Sequence, residues 1–477
     1  MQVLKFGGTS VGSTQQIQTV VNILNIRAKK NRLVAVFSAM AGVTNQIIAA
    51  IDDAVTFGVH GSSLIRMLQQ RHLETLREVA EPQFFTAAEE TISEVLHELD
   101  RKLNGIALLK ECSPRTRDSV ISIGERLSLP VIAAALRSLG IRVFEIDAAE
   151  IIRTNRQFTD AKVDLATTEA LTNARLEGLQ NGEIALVSGF IGGTADGDVT
   201  TLGRGGSDYS AALIGRAVHA ELVEIWTDTN GVLSADPRII SDAVQLPDIS
   251  YREAAEMAFF GAKVLHPKTM SPLESCNIPL IIRNTFAPEH PGTRIVSDSR
   301  PDLSPITAIS SISDVSVISL VQSLNVSSPV SSTVIKALAG LSDPILLLNF
   351  GIADATIRLA VHAKDVRKIV QFLREELAEQ LRLGIIRDIF VEENLALMAI
   401  VGKPHHLQNG NLSRIFETFT RHHIPTRSVA SGTSNHSLSV LLNRTDLDRA
   451  MKALHAAYFQ SGAAKPATNH VSMLDAY

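Results

Sequence analysis

From Met1 to about Asn284, short uninterrupted apolar runs alternate with longer stretches whose apolar residues recur at helical spacing. The runs are Val3–Phe6, Leu33–Phe37, Ile141–Ile146, Ile184–Phe190, Leu222–Trp226 and Ile278–Ile282. Such alternation predicts an α/β sandwich. The first helical stretch shows the logic: Ser13 or Thr14 can cap it, and Ile17, Val20, Val21, Leu24 and Ala28 share one face that can pack on a sheet. Two further helices, Ser62–Ala80 and Thr86–Asn104, are rich in charge. They fit either an insertion over the site or a subunit contact, and the pattern leaves both open.

Between Pro288 and Pro305 several chain breakers fall together with no periodic apolar face, as expected of a linker. Beyond it the pattern becomes two βαββα passes, with strands near Val315–Leu320, Ile345–Phe350, Thr356–Val361, Leu395–Val401, Thr426–Val429 and Leu438–Leu442. Helices Val366–Leu377 and Leu447–Tyr458 close the passes. This is a loose repeat of roughly 75 to 80 residues with a ferredoxin-like order of elements. The expected domains are 1–295, 306–384 and 385–460, and Gln460–Tyr477 is small, polar and expected to fray.

Length agrees: 477 residues at about 150 per domain predict roughly three domains. Hydrophobic residues at 45% and charged residues at 20% exclude a disordered or collagen-like chain. A net charge of −5 without a basic tract argues against nucleic acid as a partner. Two cysteines, Cys112 and Cys276, are too few for a disulfide framework and suit a reducing compartment. The start Met1–Phe6 resembles neither a signal nor a transit peptide, and apolar runs such as Leu395–Val401 fall far short of the ~20 residues of a membrane span. The expectation is a cytoplasmic protein with no membrane contact.

Three glycine-rich turns follow strands. In Lys5-Phe6-Gly7-Gly8-Thr9-Ser10-Val11-Gly12 the backbone amides, a helix N-terminus and the Lys5 charge can converge on an anion. The order differs from a P-loop, and no dinucleotide fingerprint is present. In Thr201-Leu202-Gly203-Arg204-Gly205-Gly206-Ser207-Asp208, Ser207 or Asp208 can cap a helix, while Arg204 between glycines suits bidentate capture of a carboxylate or phosphate. The third group is Trp226-Thr227-Asp228, Ala235-Asp236-Pro237-Arg238 and Phe260-Gly261-Ala262-Lys263. Beyond strand ends, Arg238 and Lys263 can join Lys5 on a polyphosphate. Ser38-Ala39-Met40-Ala41-Gly42-Val43-Thr44-Asn45 is another strand-to-helix turn. Glu125, inside an apolar helix pattern, needs a partner if buried: a substrate ammonium or Arg126.

Taken together, Lys-Phe-Gly-Gly-Thr-Ser-Val, Gly-Arg-Gly-Gly-Ser-Asp-Tyr-Ser, Trp-Thr-Asp, Ala-Asp-Pro-Arg and Phe-Gly-Ala-Lys-Val-Leu-His-Pro resemble the aspartokinases of the amino-acid kinase family. The likeness runs over residues 1 to about 295, and the two later passes resemble that family's paired ACT domains. The chain is most similar to the kinase portion of bifunctional aspartokinase–homoserine dehydrogenases, without the dehydrogenase. The resemblance implies an αβα kinase domain followed by two ACT-like domains. It also implies phosphorylation of the side-chain carboxylate of L-aspartate by ATP with Mg2+, the entry step toward lysine, threonine and methionine, and a homodimer joined through the ACT-like domains. Position by position it implies catalytic roles for Lys5 and Asp208. ATP would meet Lys5, Gly7, Gly8, Thr227, Asp228, Arg238 and Lys263, aspartate would meet Thr44, Glu125, Arg204 and Ser207, and no dedicated protein metal ligand is implied. Other acceptors such as glutamate, and an inactive amino-acid sensor, are the alternatives. Leu233 stands where an aromatic often follows the nucleotide turn, and Val321–Val326 and Val401–His406 lack the usual Gly-Met turn, so weak or absent inhibition by lysine or threonine is expected.

Overall fold

A computed structural model describes residues 1–262, 265–298, 305–323, 330–341, 343–351, 355–403, 411–431 and 436–460. They form two units: Met1–Val232 with Gln245–Ala258 and Val264–Arg300, and Leu233–Val244 with Phe259–Lys263 and Pro301–Tyr477.

The strands of the first unit are β1 (Gln2–Phe6), β2 (Leu33–Phe37), β3 (Arg142–Ile146), β4 (Glu183–Ser188), β5 (Ile191–Gly193), β6 (Val199–Thr201), β7 (Leu222–Thr227), β8 (Asp248–Ser250), β9 (Leu280–Asn284) and β10 (Thr293–Val296). Eight of them make one sheet in the order β3-β4-β2-β1-β7-β9-β10-β8, parallel except for the β9/β10 pair, while β5 and β6 form a separate hairpin. The central strands read as unbroken apolar runs because both faces are covered. Leu4, Phe6, Leu33, Ala35, Phe37, Ile184 and Leu186 point into a core shared with the helices Thr14–Ala28, Val43–Phe57, Ser62–Val79, Phe85–Leu109 and Ile123–Ser138. The intervening residues face the other layer, where the helix Gly206–Ala217 comes so near that a Cβ on Gly215 would stand 2.5 Å from the Val223 side chain. Lys5 alternates with Leu4 and Phe6 and therefore lies on that second face.

Ser13, rather than Thr14, caps the first helix, accepting from the Gln16 N–H at 3.4 Å, and the five apolar positions expected to be buried are buried. Pro114–Ser138 is long and apolar enough to span a bilayer by length and composition, yet 89% of its most apolar window is buried inside the protein. Its hydrophobicity serves the core of the first unit.

The second unit is built on β11 (Ala308–Gln322), β12 (Leu347–Gly351), β13 (Thr356–His362), β14 (Ile386–Val401), β15 (Ser428–Ser431) and β16 (Ser437–Asn443), an antiparallel sheet in the order β12-β13-β11-β14-β16-β15. Two cores lie on it. Ile318, Leu320, Leu359, Ile369 and Ile389 belong to one, and Ile306, Ile309, Met398, Val440 and Leu454 to the other. Each core therefore uses parts of both long strands, and the two ferredoxin-like passes interlock. The expected consecutive blocks 306–384 and 385–460 give way to this arrangement, because a ferredoxin-like unit needs a fourth strand beside its first. Each pass takes that strand from the other. The segment Leu233–Val244 also packs here, placing Ala235 and Ile240 in the second core and the Ser234 hydroxyl 2.9 Å from His455 Nε2.

Candidate active site

The site lies where β1, β2, β4 and β7 end. The turn after β1 begins with Gly7, whose N–H donates to the Trp226 carbonyl at 3.2 Å, so this turn sits directly beside Thr227 at the end of β7. Only glycine fits at the next position: a Cβ on Gly8 would stand 2.9 Å from the Ala39 carbonyl. The turns after β1 and β2 are therefore in contact.

Lys5 Nζ meets Asp208 Oδ1 at 2.6 Å, and both side chains are largely buried. Asp208 and Ser207 are the two candidate helix caps. Neither acts as one: Gly205, at φ 71°, takes the N-cap position and no side chain bonds there. A left-handed residue at that point lets the chain turn sharply, which swings Asp208 into the first helical turn and onto Lys5.

A cavity of about 310 Å³ opens over this pair, lined by Lys5, Ser38, Thr44, Glu125, Phe190, Arg204, Ser207 and Asp208 with the glycines at 203, 205 and 206. A second, of about 390 Å³, shares Ser38, Thr44 and Glu125 and continues along Gly8, Thr9 and the turn 39–42 to Asn45. Phe190 closes one wall in a left-handed conformation (φ 69°), a strain retained beside the site, with its N–H donating to Ser210 Oγ at 3.0 Å.

Glu125 is 4% exposed, and its Oε2 has no hydrogen-bond partner among the described residues. Burial pushes its pKa up to about 8, against the opposing pull of the Ala39 N–H, its own N–H and the Lys5 charge. Of the two partners open to it, Arg126 is already engaged: its Nε lies 2.8 Å from Asp147 Oδ2. A buried carboxyl with one oxygen left open at a cavity wall is suited to receive an ammonium. Opposite in charge, Arg204 is exposed and forms no ion pair among the described residues, so its guanidinium is available to a carboxylate.

The loop bearing Arg204 is held from behind. Asp118, fully buried, accepts from the N–H groups of Thr159 (2.8 Å) and Thr201 (2.9 Å) and from Thr201 Oγ1 (2.8 Å). Burial pushes its pKa up while these bonds favour the charged form. Lys268 ties Asp160 (2.6 Å) to the Leu202 carbonyl (3.3 Å) and lies over the Tyr209 ring. His266, whose pKa is lowered by burial and by the charges of Lys268 and Arg204, caps the helix Pro267–Glu274. These supports escape a reading of the sequence, since an isolated Asp in a helix pattern carries no signal of which loop it will reach.

The structure thus brings together Lys5, Thr44, Glu125, Arg204, Ser207 and Asp208 around one cavity, with Gly8 lining the second, Gly7 packed beside Trp226, and Thr227 and Asp228 at the neighbouring strand end. Ser38, which the sequence places only within a turn, is added to them. Arg238 is not: it lines neither cavity, belongs to the segment that packs in the second unit, and holds Asp236 in a forked pair with Nη2–Oδ2 at 2.5 Å. Lys263 lies outside the described residues, as do 324–326 and 404–406 of the two ACT-like turns at 321–326 and 401–406.

Residues 1–284 match the amino acid kinase family model and 398–458 an ACT domain model. Aspartokinase 1 of Arabidopsis thaliana is 30% identical over 477 residues, covering 96% of this chain and 80% of that protein. The bifunctional aspartokinase/homoserine dehydrogenase of Buchnera aphidicola is 28% identical over 96% of this chain, which spans only 56% of that longer protein. Among solved structures, E. coli aspartokinase III in complex with aspartate and ADP superposes with a TM-score of 0.79 at 28% identity, covering 96% of this chain and 99% of the other. Clostridium acetobutylicum aspartate kinase gives 0.79 at 25% identity, covering 96% and 100%. With the kinase model spanning more than half of its length, and a 30% identical relative matched over four fifths of that relative's own, the chain belongs to the aspartokinases of the amino acid kinase family.

Proposed function

We propose that this chain is an aspartate kinase, transferring the γ-phosphoryl group of ATP to the side-chain carboxylate of L-aspartate to give ADP and 4-phospho-L-aspartate. The observation that carries this reading is the single cavity in which the buried Glu125 carboxyl, whose Oε2 has no hydrogen-bond partner among the described residues, and Arg204, which forms no ion pair among them, flank the Lys5–Asp208 pair. An amino acid offers that cavity an ammonium for Glu125, an α-carboxylate for Arg204 and a second carboxylate for transfer. The E. coli relative holds aspartate and ADP together, which supports the same pairing here.

A carboxylate with an ordinary pKa near 3.9 is already a nucleophile at neutral pH, so no general base is needed. Its oxygen forms the new bond to the γ-phosphorus while the bond from that phosphorus to the bridging oxygen breaks, and ADP leaves with the electron pair. What the chain must supply is alignment and charge neutralisation. Lys5, oriented by Asp208, offsets charge on the phosphoryl oxygens, the amides of the Gly7–Gly8 turn support the phosphates, and Thr44 and Ser207 help to fix the acceptor. Thr227 and Asp228 border the nucleotide. The donor set fits Mg2+ carried on the phosphates, since one carboxylate, Asp208, with phosphate oxygens and water satisfies an ion that rarely needs a full protein cage. Bound there, it would neutralise phosphate charge. We further place the reaction at the head of lysine, threonine and methionine synthesis, in a cytoplasmic homodimer joined through the ACT-like units.

Purified protein incubated with MgATP and aspartate, glutamate or acetylglutamate, with acyl phosphate trapped by hydroxylamine, tests the reading. Hydroxamate should appear with aspartate; turnover of glutamate with none of aspartate would overturn it.

A further inference from the structure

Arg71 lies within the helix Ser62–Val79 and lines neither cavity, yet its two terminal nitrogens reach the turns that build them. Nη1 donates to the Ala41 carbonyl at 2.9 Å and Nη2 to the Gly12 carbonyl at 3.0 Å. The two acceptors belong to separate turns. Gly12 ends the one that follows β1 and carries Gly7 and Gly8; Ala41 lies in the one that follows β2 and carries Ser38 and leads to Thr44. These turns already touch, since a Cβ on Gly12 would stand 2.9 Å from that of Ala41. Both carbonyls lie just ahead of helix starts, at Thr14 and Val43, where the backbone is outside the regular helical ladder. A guanidinium presents two donors in one rigid plane, so a single side chain can hold both; an ammonium has no such fork. Arg71 is itself anchored, with its helix buried at the next residue, His72, and its own carbonyl accepting from Thr75 Oγ1 at 2.8 Å.

We propose that Arg71 is a positioning residue that clamps the phosphate-side turn to the acceptor-side turn, so that the Gly7–Gly8 amides and the Ser38–Thr44 pocket hold one relative placement. This rests on the aspartate kinase reading for what the turns bind, though not for the clamp itself. In-line transfer between two bound substrates is sensitive to such placement, and a shift of about 1 Å can cost roughly 100-fold in rate. The charge-rich helix Ser62–Val79, which the sequence leaves between covering the site and contacting a subunit, thereby acquires a role at the site.

The test compares wild type, Arg71→Ala, Arg71→Lys and, on the exposed face of the same helix, Arg66→Ala. Expected for Arg71→Ala is a kcat lowered roughly 10- to 100-fold per folded molecule, with several-fold recovery on adding guanidinium at concentrations far below denaturing. Arg71→Lys should recover little, because it reaches one carbonyl, and Arg66→Ala should match wild type. Hydrogen exchange should quicken together in residues 7–12 and 38–45 of Arg71→Ala. Should that variant fail to fold, Arg71→Lys carries the same comparison. A role in helix packing alone would lower thermal stability while leaving kcat per folded molecule unchanged and guanidinium without effect, and that result overturns the proposal. Unaltered exchange in both turns overturns it as well, even if wild type proves inactive on aspartate, an outcome that by itself would sink only the proposed function.

Discussion

Replacing Glu125 by glutamine separates the two demands that the site places on this side chain. In the ligand-free protein burial raises its pKa from 4.5 to about 8, so at pH 7 the folded state holds a proton that the unfolded state has released. Stability from this group is complete below pH 4.5, declines as pH rises toward 8, and is level above. At about 1.36 kcal/mol per pH unit, the interval from 4.5 to 7 costs on the order of 3 kcal/mol. Glutamine avoids that cost, offset by about 1 kcal/mol for an amide donor left without a partner. Ligand-free Glu125→Gln should therefore melt higher than wild type at pH 7 by roughly 4–8 °C, with the difference vanishing at about pH 5 and reversing slightly at about pH 4.5, where only the glutamine penalty remains. Catalysis should move the other way. A substrate ammonium must ionise Glu125, so wild-type affinity for aspartate should strengthen about tenfold per pH unit from 6 to 8 and then level, with nearly one proton released per aspartate bound at pH 7. Glutamine cannot form the ion pair, and its aspartate KM should be about 100-fold higher and without that pH dependence. Differential scanning calorimetry across pH, and titration calorimetry in buffers of different ionisation enthalpy, read both effects. Equal melting profiles for the two proteins, or binding without proton release, would refute the reasoning.

Lys5→Met should lower kcat by roughly 100- to 1,000-fold, as the loss of a donor to transition-state charge does, with aspartate KM little changed in a coupled ADP assay; a kcat near wild type would remove Lys5 from the chemistry. Arg204→Ala should raise aspartate KM about 100-fold and leave that of ATP unchanged, and Arg204→Lys should restore little of it because a forked pair is lost. The reverse pattern, with only the ATP KM raised, would exchange the two subsites. Glu224 is fully buried on β7, accepting from Arg27 Nη2 and Arg283 Nε at 2.9 Å and from Trp226 Nε1 at 3.0 Å. Glu224→Ala strands both cations and should destabilise the kinase unit by about 3–5 kcal/mol in urea denaturation, with substrate KM values unchanged in the folded fraction.

Six strands of the kinase unit, β1, β2, β3, β4, β7 and β9, and the faces of its first helix are legible in the chain, because buried parallel strands and amphipathic helices write their burial into local periodicity, whereas β5, β6, β8 and β10, of three or four residues each, are too short to do so. So are the glycine turns, since the close approach that Gly8 makes to Ala39 tolerates no side chain, and the βαββα order of the second unit. Tertiary structure decided what lies across space. It gave β11 and β14 to both ACT-like cores, a pairing of segments some eighty residues apart that no local pattern encodes. Between Arg126 and a ligand as the partner of Glu125 it chose against Arg126, by placing Asp147 beside that arginine. It turned Asp208 from a cap into the partner of Lys5 through the backbone angle at Gly205, and it drew Arg238 to Asp236. A charged residue in a sequence shows that it needs a partner; distance in the folded chain, and the cost of leaving a charge buried without one, select which partner it takes.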